Sequence, residues 1–228
     1  MKIQKTVIAT VLGLSAISAN VQAKQFTVEI ENLTNGIYFT PLLVAAHDSS
    51  TTLFQTGTTA SASLEAMAEG GDISGLVDDI AGTAPTTAEN PAGGLLAPGV
   101  STTTEMFNTD GTANDFLSIV GMMLPTNDGF AGLNSWEIPE AAGTYTFTIN
   151  GYDAGTEAND ELSASIPAPI DFGTGTGGTG VSASDSNTSV HVHRGSIGDD
   201  NATGGSSDLD NSVHRWLNPI ARITVIVQ

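Results

Sequence analysis

Short segments with the periodicity of β-strands, separated by turn residues, constrain the fold of this chain most strongly. Apolar and polar residues alternate from Phe26 to Glu31 (FTVEIE) and again from Thr144 to Ile149 (TYTFTI). The segment from Ile220 to Val227 (IARITVIV) is rich in β-branched residues. A period of two is typical of a strand that buries one face, and β-branched residues suit a sheet interior. These patterns predict a protein built mainly from strands.

Two further apolar segments complete the predicted sheet. Ile37 to Ala46 reads as a strand bent at Pro41, with its second half (LLVAA) buried on both sides, and Asp115 to Leu124 (DFLSIVGMML) reads as a core strand. Residues 100–107 also have strand composition. Because many short strands occur without a strand-helix-strand rhythm, the sequence predicts an all-β fold, an antiparallel β-sandwich.

Helical and loop segments are predicted between these strands. Ser63 to Glu69 (SLEAMAE) is rich in helix formers and ends at Gly70 and Gly71, and Asp72 is placed to cap a second short helix. Residues 82–98 read as a loop. A long exposed excursion is predicted over residues 171–211, where Gly, Ser, Thr, Asp and Asn dominate.

The N-terminus has the pattern of a secretory signal. Lys2 and Lys5 precede an apolar run, and small residues with the pattern Val-Gln-Ala follow it up to Ala23. This pattern predicts a signal peptide over residues 1–23 and a single exported domain over 24–228, either periplasmic or extracellular. The run is shorter than the roughly 20 apolar residues of a membrane span, so direct membrane insertion is not expected.

Composition restricts the classes of partner and of stabilising group. The chain has no Cys, which excludes disulfides and thiolate metal sites. Without residues 1–23, four basic residues stand against 25 acidic ones, a net charge of −21. Such a surface repels nucleic-acid phosphates and attracts divalent cations, although acidity also simply keeps an exported protein soluble.

Acidic residues follow two of the predicted core strands. Asp128 lies in a turn (PTND) after the strand that ends near Leu124, and Asp153 and Glu157 lie in the turn (DAGTE) after the next one. Adjacent strands can bring such residues to one edge of a sandwich, where carboxylates, carbonyls and water supply the six to eight oxygen ligands of Ca²⁺. Asn-Asp-Gly and Asp-Ala-Gly are also ordinary turn sequences, so spacing alone leaves turn capping open.

The motifs LPTNDGFAGL, a following Trp, YDAGTE and the terminal NPIARITVIVQ occur in an order that resembles the spondin N-terminal domain family. The stretches TPLLVAAHDSS and DFLSIVGMMLP also fit, so the similarity covers nearly all of residues 24–228. The resemblance implies a β-sandwich related to C2-type domains, with Ca²⁺ bound at one end by Asp128, Asp153 and Glu157. At Glu157 the family usually has Asp, so the reach of this side chain differs.

Other residues suggest weaker candidate sites. His191 and His193 lie on one face of a strand-like segment, and a His-based metal site including His47 or His214 is one interpretation. The alternative is a polar network in which these His residues, Arg194 and Arg215 fasten the long excursion, with the Arg residues paired to acids and Trp216 as a packing anchor. The acids of residues 171–211 are either a solvated loop or a second, weaker cation site.

The sequence predicts a binding protein in preference to an enzyme. It has no HExxH, GxSxG, P-loop or dinucleotide-binding motif. We therefore expect a Ca²⁺-binding, non-enzymatic module for adhesion to an extracellular ligand such as matrix, a glycan or a cell-surface protein. Two alternatives remain open: a carboxylate-dependent hydrolase of polysaccharide or lipid, with a pocket around Asp153 and Glu157, and a purely structural surface subunit.

Overall fold

The computed structural model describes residues 24–167, 188–201 and 204–228. The predicted signal peptide, and residues 171–187 with 202 and 203 of the predicted excursion, lie outside these ranges. No helix in the described ranges combines the length and the apolar character needed to cross a membrane.

Antiparallel strands dominate the structure, and two short α-helices and one 3-10 helix (Ala81–Thr83) lie between them. The helices are α1 (Ala62–Gly70) and α2 (Ser74–Ile80). The strands are β1 (Gln25–Asn32), β2 (Tyr38–Phe39), β3 (Leu43–His47), β4 (Thr86–Glu89), β5 (Ser101–Thr103), β6 (Phe107–Asn108), β7 (Phe116–Leu124), β8 (Gly129–Glu137), β9 (Gly143–Asp153), β10 (His191–Val192) and β11 (Ala221–Val227).

The described strands form one continuous antiparallel sheet in the order β4-β3-β7-β8-β9-β11-β1-β5. The short strands β2, β6 and β10 pair with β7, β1 and β9, respectively. The N-terminal strand β1 and the C-terminal strand β11 are paired along their lengths, from Phe26 opposite Val227 to Asn32 opposite Ala221. The architecture is all-β, as the sequence predicts.

The sheet folds over a first hydrophobic core, so it has the character of a sandwich. Alternate residues of β1, such as Phe26 and Val28, meet alternate residues of β3 and β7, such as Val44 and Ile119, in one buried cluster. The alternation of buried and part-exposed residues along β1 shows that the opposite face of this strand is more open.

A second core covers the outer face of β3 and β7. Leu43 and Val120 pack there with Leu64 and Met67 of α1 and with Leu76 of α2. All five residues of β3 are therefore buried, as expected from the segment LLVAA. The two helices cover this half of the sheet.

Glycine and polar side chains determine where the helices begin and end. Ser61 Oγ accepts the Leu64 N–H at 3.1 Å at the start of α1, and Gly71 terminates it with φ of 73°. Asp72 accepts hydrogen bonds from the N–H and hydroxyl of Ser74. The helix boundary falls one residue later, with Ile73 at the N-cap position, but the Asp72 side chain caps the first turn of α2 as predicted.

Two strands differ from the sequence predictions. Residues 82–98 were expected to be loop but contain β4, a short edge strand whose residues Thr86 to Glu89 are partly or fully exposed and give little apolar signal. Strand β8 was not expected, because glycines interrupt its apolar pattern. At Gly132 a Cβ atom would lie 2.6 Å from the Tyr152 ring and 2.8 Å from the Phe54 ring, so the missing side chain reflects close packing.

Candidate functional site

The turn before β8 and the turn after β9 meet at one end of the sheet. Gly129 pairs with Asp153 in the β8–β9 register, which places Asp128 beside Ala154. The Ala154 N–H donates to the Asp128 carbonyl at 3.2 Å. Two predicted acidic turns are thus neighbours because antiparallel pairing brings the start of one strand to the end of the other.

The DAGTE turn wraps around the Asp128 side chain. The N–H groups of Thr156 and Glu157 donate to Asp128 Oδ2 at 2.8 and 3.1 Å. The turn requires Gly155, since its φ is +72° and a Cβ would lie 2.6 Å from the Ser189 nitrogen. All three predicted ligands are buried: Asp128 is 0% exposed, Asp153 3% and Glu157 6%.

The two carboxylate oxygens of Asp128 have different environments. Its Oδ2 atom accepts the two N–H groups, whereas Oδ1 is buried and has no hydrogen-bond partner among the described residues. Burial raises the pKa of Asp128 above its ordinary value, and the nearby Asp153 carboxylate raises it further. A buried carboxylate with one bare oxygen is costly unless a proton or a cation compensates it.

Glu69 is a site residue that sequence reasoning missed. It lies in the last turn of α1 and is 6% exposed, and its carboxyl group lies close to Thr156 and Glu157. Burial raises the pKa of Glu69, and the carboxylates of Glu65 and Asp128 also raise it. Glu69 therefore adds a fourth carboxyl group to the acids of these two turns, and its charged form is disfavoured by burial and by its acidic neighbours.

Asp153 is held by a chain of side-chain contacts. Gly155 N–H donates to its Oδ1 at 2.8 Å, and Asn159 Nδ2 donates to its Oδ2 at 2.7 Å. His193 Nδ1 accepts the Gly195 N–H at 2.9 Å, so Nε2 carries the hydrogen and donates to Asn159 Oδ1 at 3.1 Å. Burial lowers the pKa of His193 to about 4, which keeps this ring neutral.

The four described His side chains do not converge. His191 Nδ1 lies 3.6 Å from Asp153 Oδ1, on the side of β9 that carries His193. His47 pairs with Phe116 at the far end of β7, where its Nε2 lies 2.7 Å from Ser118 Oγ. His214 Nδ1 accepts the Asp210 N–H at 3.1 Å. The contacts of His193 with Asn159 and Gly195 fit the network interpretation.

The donor set suits a hard cation, although its arrangement is incomplete. In the described part of the chain, no group of three or more His, Asp or Glu side chains lies in a metal-binding arrangement. The Asp153 carboxylate lies close enough to Asp128 to raise its pKa, and Glu157 lies close to Glu69. Carboxylate oxygens of this kind, with the bare Asp128 Oδ1 among them, are the ligands that Ca²⁺ takes in proteins.

A cavity of about 1000 Å³ opens beside the acidic turns. Asp153 lines it together with His193 and Trp216, whereas Glu157 does not. Among the described residues, Asp153 and Glu157 thus do not line this cavity together. Trp216 is 5% exposed, donates to Ser196 Oγ at 3.1 Å and packs on His193, as expected for a packing anchor.

Two basic residues of the predicted network are not paired as expected. Arg194 and Arg215 both line the cavity, but neither forms an ion pair with an acid in residues 24–167, 188–201 and 204–228. The nearby acids are occupied by backbone N–H groups instead. The prediction that these arginines pair with acids is wrong for the described residues.

Residues 17–170 match the protein-family model described as Spondin_N, a range that covers more than half of the chain. It includes Asp128, Asp153, Glu157 and Glu69, and it ends before His191. No curated protein matches the chain.

Proposed function

Because the chain belongs to the spondin N-terminal domain family, which indicates a binding module of the extracellular type, we propose that it is an exported, non-enzymatic, Ca²⁺-stabilised binding protein. Adhesion to an extracellular ligand, such as matrix, a glycan or a cell-surface protein, is the role that we infer for it. The export proposal depends on the signal pattern of residues 1–23.

The observation that carries the metal proposal is Asp128 Oδ1. This oxygen is buried without a hydrogen-bond partner among the described residues, next to the Asp153 carboxylate. Two facing carboxylates repel each other, and a divalent cation between them removes this repulsion. Asp128, Asp153 and Glu157 would hold the ion, with Glu69 as a further oxygen donor.

The chain's own residues hold the two acidic turns in position. Asp128 Oδ2 already fixes the backbone of Thr156 and Glu157 to the start of β8. Asn159 and His193 orient the Asp153 carboxylate from the opposite side. Bound Ca²⁺ would supply positive charge and added cross-links between these two turns, so that the surface formed by residues 154–161 is ordered for recognition.

Thermal melting tests this proposal. The midpoint of the purified protein is compared in excess chelator and in millimolar Ca²⁺, with Asp153→Ala as the site variant and the exposed Asp110→Ala as the matched control. We expect Ca²⁺ to raise the midpoint of the wild type and of Asp110→Ala, since ligand binding to the folded state adds stability. Asp153→Ala is expected to respond weakly or not at all. An unchanged midpoint in the wild type would remove the Ca²⁺ proposal.

Mg²⁺ serves as a second control, which tests the metal preference of the site. The expected donors include up to four carboxylates, which suits the larger coordination number of Ca²⁺ better than the strict octahedron of Mg²⁺. Mg²⁺ at equal concentration should therefore raise the midpoint less than Ca²⁺.

A further inference from the structure

The basic residues of this acidic chain divide into two groups. Lys24 Nζ lies 2.7 Å from Asp115 Oδ1, and Arg222 forms an ion pair with Glu31. Arg194 and Arg215 are exposed and have no ion pair or side-chain hydrogen bond within the described residues. Of the four basic residues outside residues 1–23, the two that are left without an acid line the same cavity.

The cavity also has an apolar wall. Ile197 and Leu217 are 76% and 70% exposed, the two highest values among the large apolar side chains of the described surface. Both line the cavity together with the buried Trp216. The volume of about 1000 Å³ is at the upper end of the range of small-molecule sites.

The acids in the cavity wall form no ion pair with the arginines in the described part of the chain, and hydrogen-bond donors of the protein contact their oxygens; these acids are Asp153, Asp160, Glu161 and Asp199. Glu161 accepts the N–H groups of Ile197 and Gly198 at 2.6 and 2.9 Å. Asp199 Oδ2 accepts the N–H groups of Ser206 and Ser207 at 2.9 and 3.1 Å. These carboxylates serve to shape the loops of the wall.

We propose that this cavity binds a small organic anion with an apolar body. The oxyanion head, a carboxylate or sulfonate, is bound by Arg194 and Arg215, whose guanidinium groups donate paired N–H hydrogen bonds to the oxygens of such anions. The apolar body lies against Ile197, Leu217 and the edge of Trp216. This inference rests on the proposed binding role of this end of the sandwich, and it names a ligand class that the Ca²⁺ proposal does not require.

Two fluorescent probes of nearly equal shape separate the contribution of charge from that of the apolar wall. The anion is 1-anilinonaphthalene-8-sulfonate, and the neutral compound N-phenyl-1-naphthylamine is the same molecule without the sulfonate. Each is titrated into the wild type, into the double variant Arg194→Gln/Arg215→Gln and into Arg222→Gln as a control with one cation removed from another face. Far-UV circular dichroism checks that each variant is folded.

We expect the double variant to weaken binding of the anionic probe by about tenfold or more, since two charge-assisted contacts are lost, and to change binding of the neutral probe less than about twofold. Arg222→Gln should leave both affinities near the wild-type values. Equal losses for the two probes, or an anion affinity unchanged by the double variant, would overturn the proposal. Each probe titration is repeated in chelator and in Ca²⁺. The anion site needs no metal, so its affinity should be the same in both conditions, and the result is independent of the melting test for Ca²⁺.

Discussion

At the scale of single residues, the unusual state of Asp128 determines how the protein should respond to cations. In chelator, the change Asp128→Asn removes a charge that burial disfavours, while the amide oxygen can still accept the Thr156 and Glu157 N–H groups. We expect the variant to be at least as stable as the wild type under these conditions. In Ca²⁺ at a hundred times Kd, the wild type should gain about 2.7 kcal/mol and the variant almost nothing.

Denaturant unfolding with and without Ca²⁺ measures both halves of this prediction. The exposed Asp110→Asn is the matched control and should follow the wild type in both conditions. If Asp128→Asn lost stability in chelator and still gained the full Ca²⁺ increment, the bare oxygen would not be a cation ligand.

His193 provides a prediction on pH dependence. Its pKa is about 4 in the folded chain against 6.5 in the unfolded one, because it is buried. Between these values only the unfolded chain takes up the proton, so the stability that neutral His193 contributes is present above about pH 6.5 and is lost as the pH falls toward 4. The loss amounts to about 3 kcal/mol.

The experiment compares wild type and His193→Gln from pH 7 to pH 4 in chelator. Protonation of Glu69, whose pKa is raised, acts in the opposite direction in both proteins and cancels in the difference. Protonation of Asp128 also acts in the opposite direction but does not cancel completely, because the charge of His193 lowers the pKa of Asp128; Asp128→Asn with and without His193→Gln measures this coupling. The stability advantage of the wild type should shrink toward low pH by this amount. Parallel pH profiles would show that His193 is not held neutral by burial.

At the scale of elements, helix α1 links the outer core to the acidic turns. Its C-cap Gly71 has φ of +73°, and a Cβ there would lie 3.0 Å from the Thr40 side chain. We expect Gly71→Ala to destabilise the protein by about 1–2 kcal/mol. Gly82→Ala, at a negative-φ position with nothing within 4 Å, should change stability by less than about 0.5 kcal/mol.

Unfolding midpoints in denaturant distinguish these two variants. Because Glu69 lies two residues before Gly71, the variant should also show a smaller Ca²⁺ increment than the wild type. Equal midpoints for the two variants would mean that the left-handed cap contributes little.

The elements also show how much the sequence could predict. Strands β1 and β11 were predicted because alternation and β-branched residues are local signals, and β3 because its flanking turn and apolar run are local too. Strand β8 was missed because glycines interrupt its apolar pattern. Gly132 has no room for a side chain, since the Tyr152 and Phe54 rings pack against it, and these residues are distant in sequence. Glu69 was missed for the same reason, since only the docking of α1 brings it to Glu157.

At the scale of the whole molecule, the charge balance predicts a response to salt. The net charge of −19, or −21 without residues 1–23, makes the folded chain repel itself. We expect the melting midpoint in chelator to rise between about 0.05 M and about 0.5 M NaCl, because screening weakens this repulsion. A flat or falling midpoint would show that self-repulsion contributes little to stability.

The resemblance to the spondin N-terminal domain family, read from sequence motifs, is confirmed by the match over residues 17–170. The three predicted ligands are all buried at one end of the sheet. Their position at this end could be predicted, because each acidic turn lies next to a predicted strand. What the sequence could not indicate is that Glu157 lies close to Glu69, because this proximity depends on side-chain packing between a helix and a turn.

Calorimetric titration of Ca²⁺ into chelator-treated protein tests the cation site most directly. The account predicts one bound ion per chain in the wild type, and a release of protons on binding that grows as the pH of the titration is lowered toward the raised pKa values of Asp128 and Glu69. The double variant Asp128→Asn/Asp153→Asn should show no binding. A wild type that takes up no Ca²⁺, or a double variant that binds it as tightly as the wild type, would contradict the account.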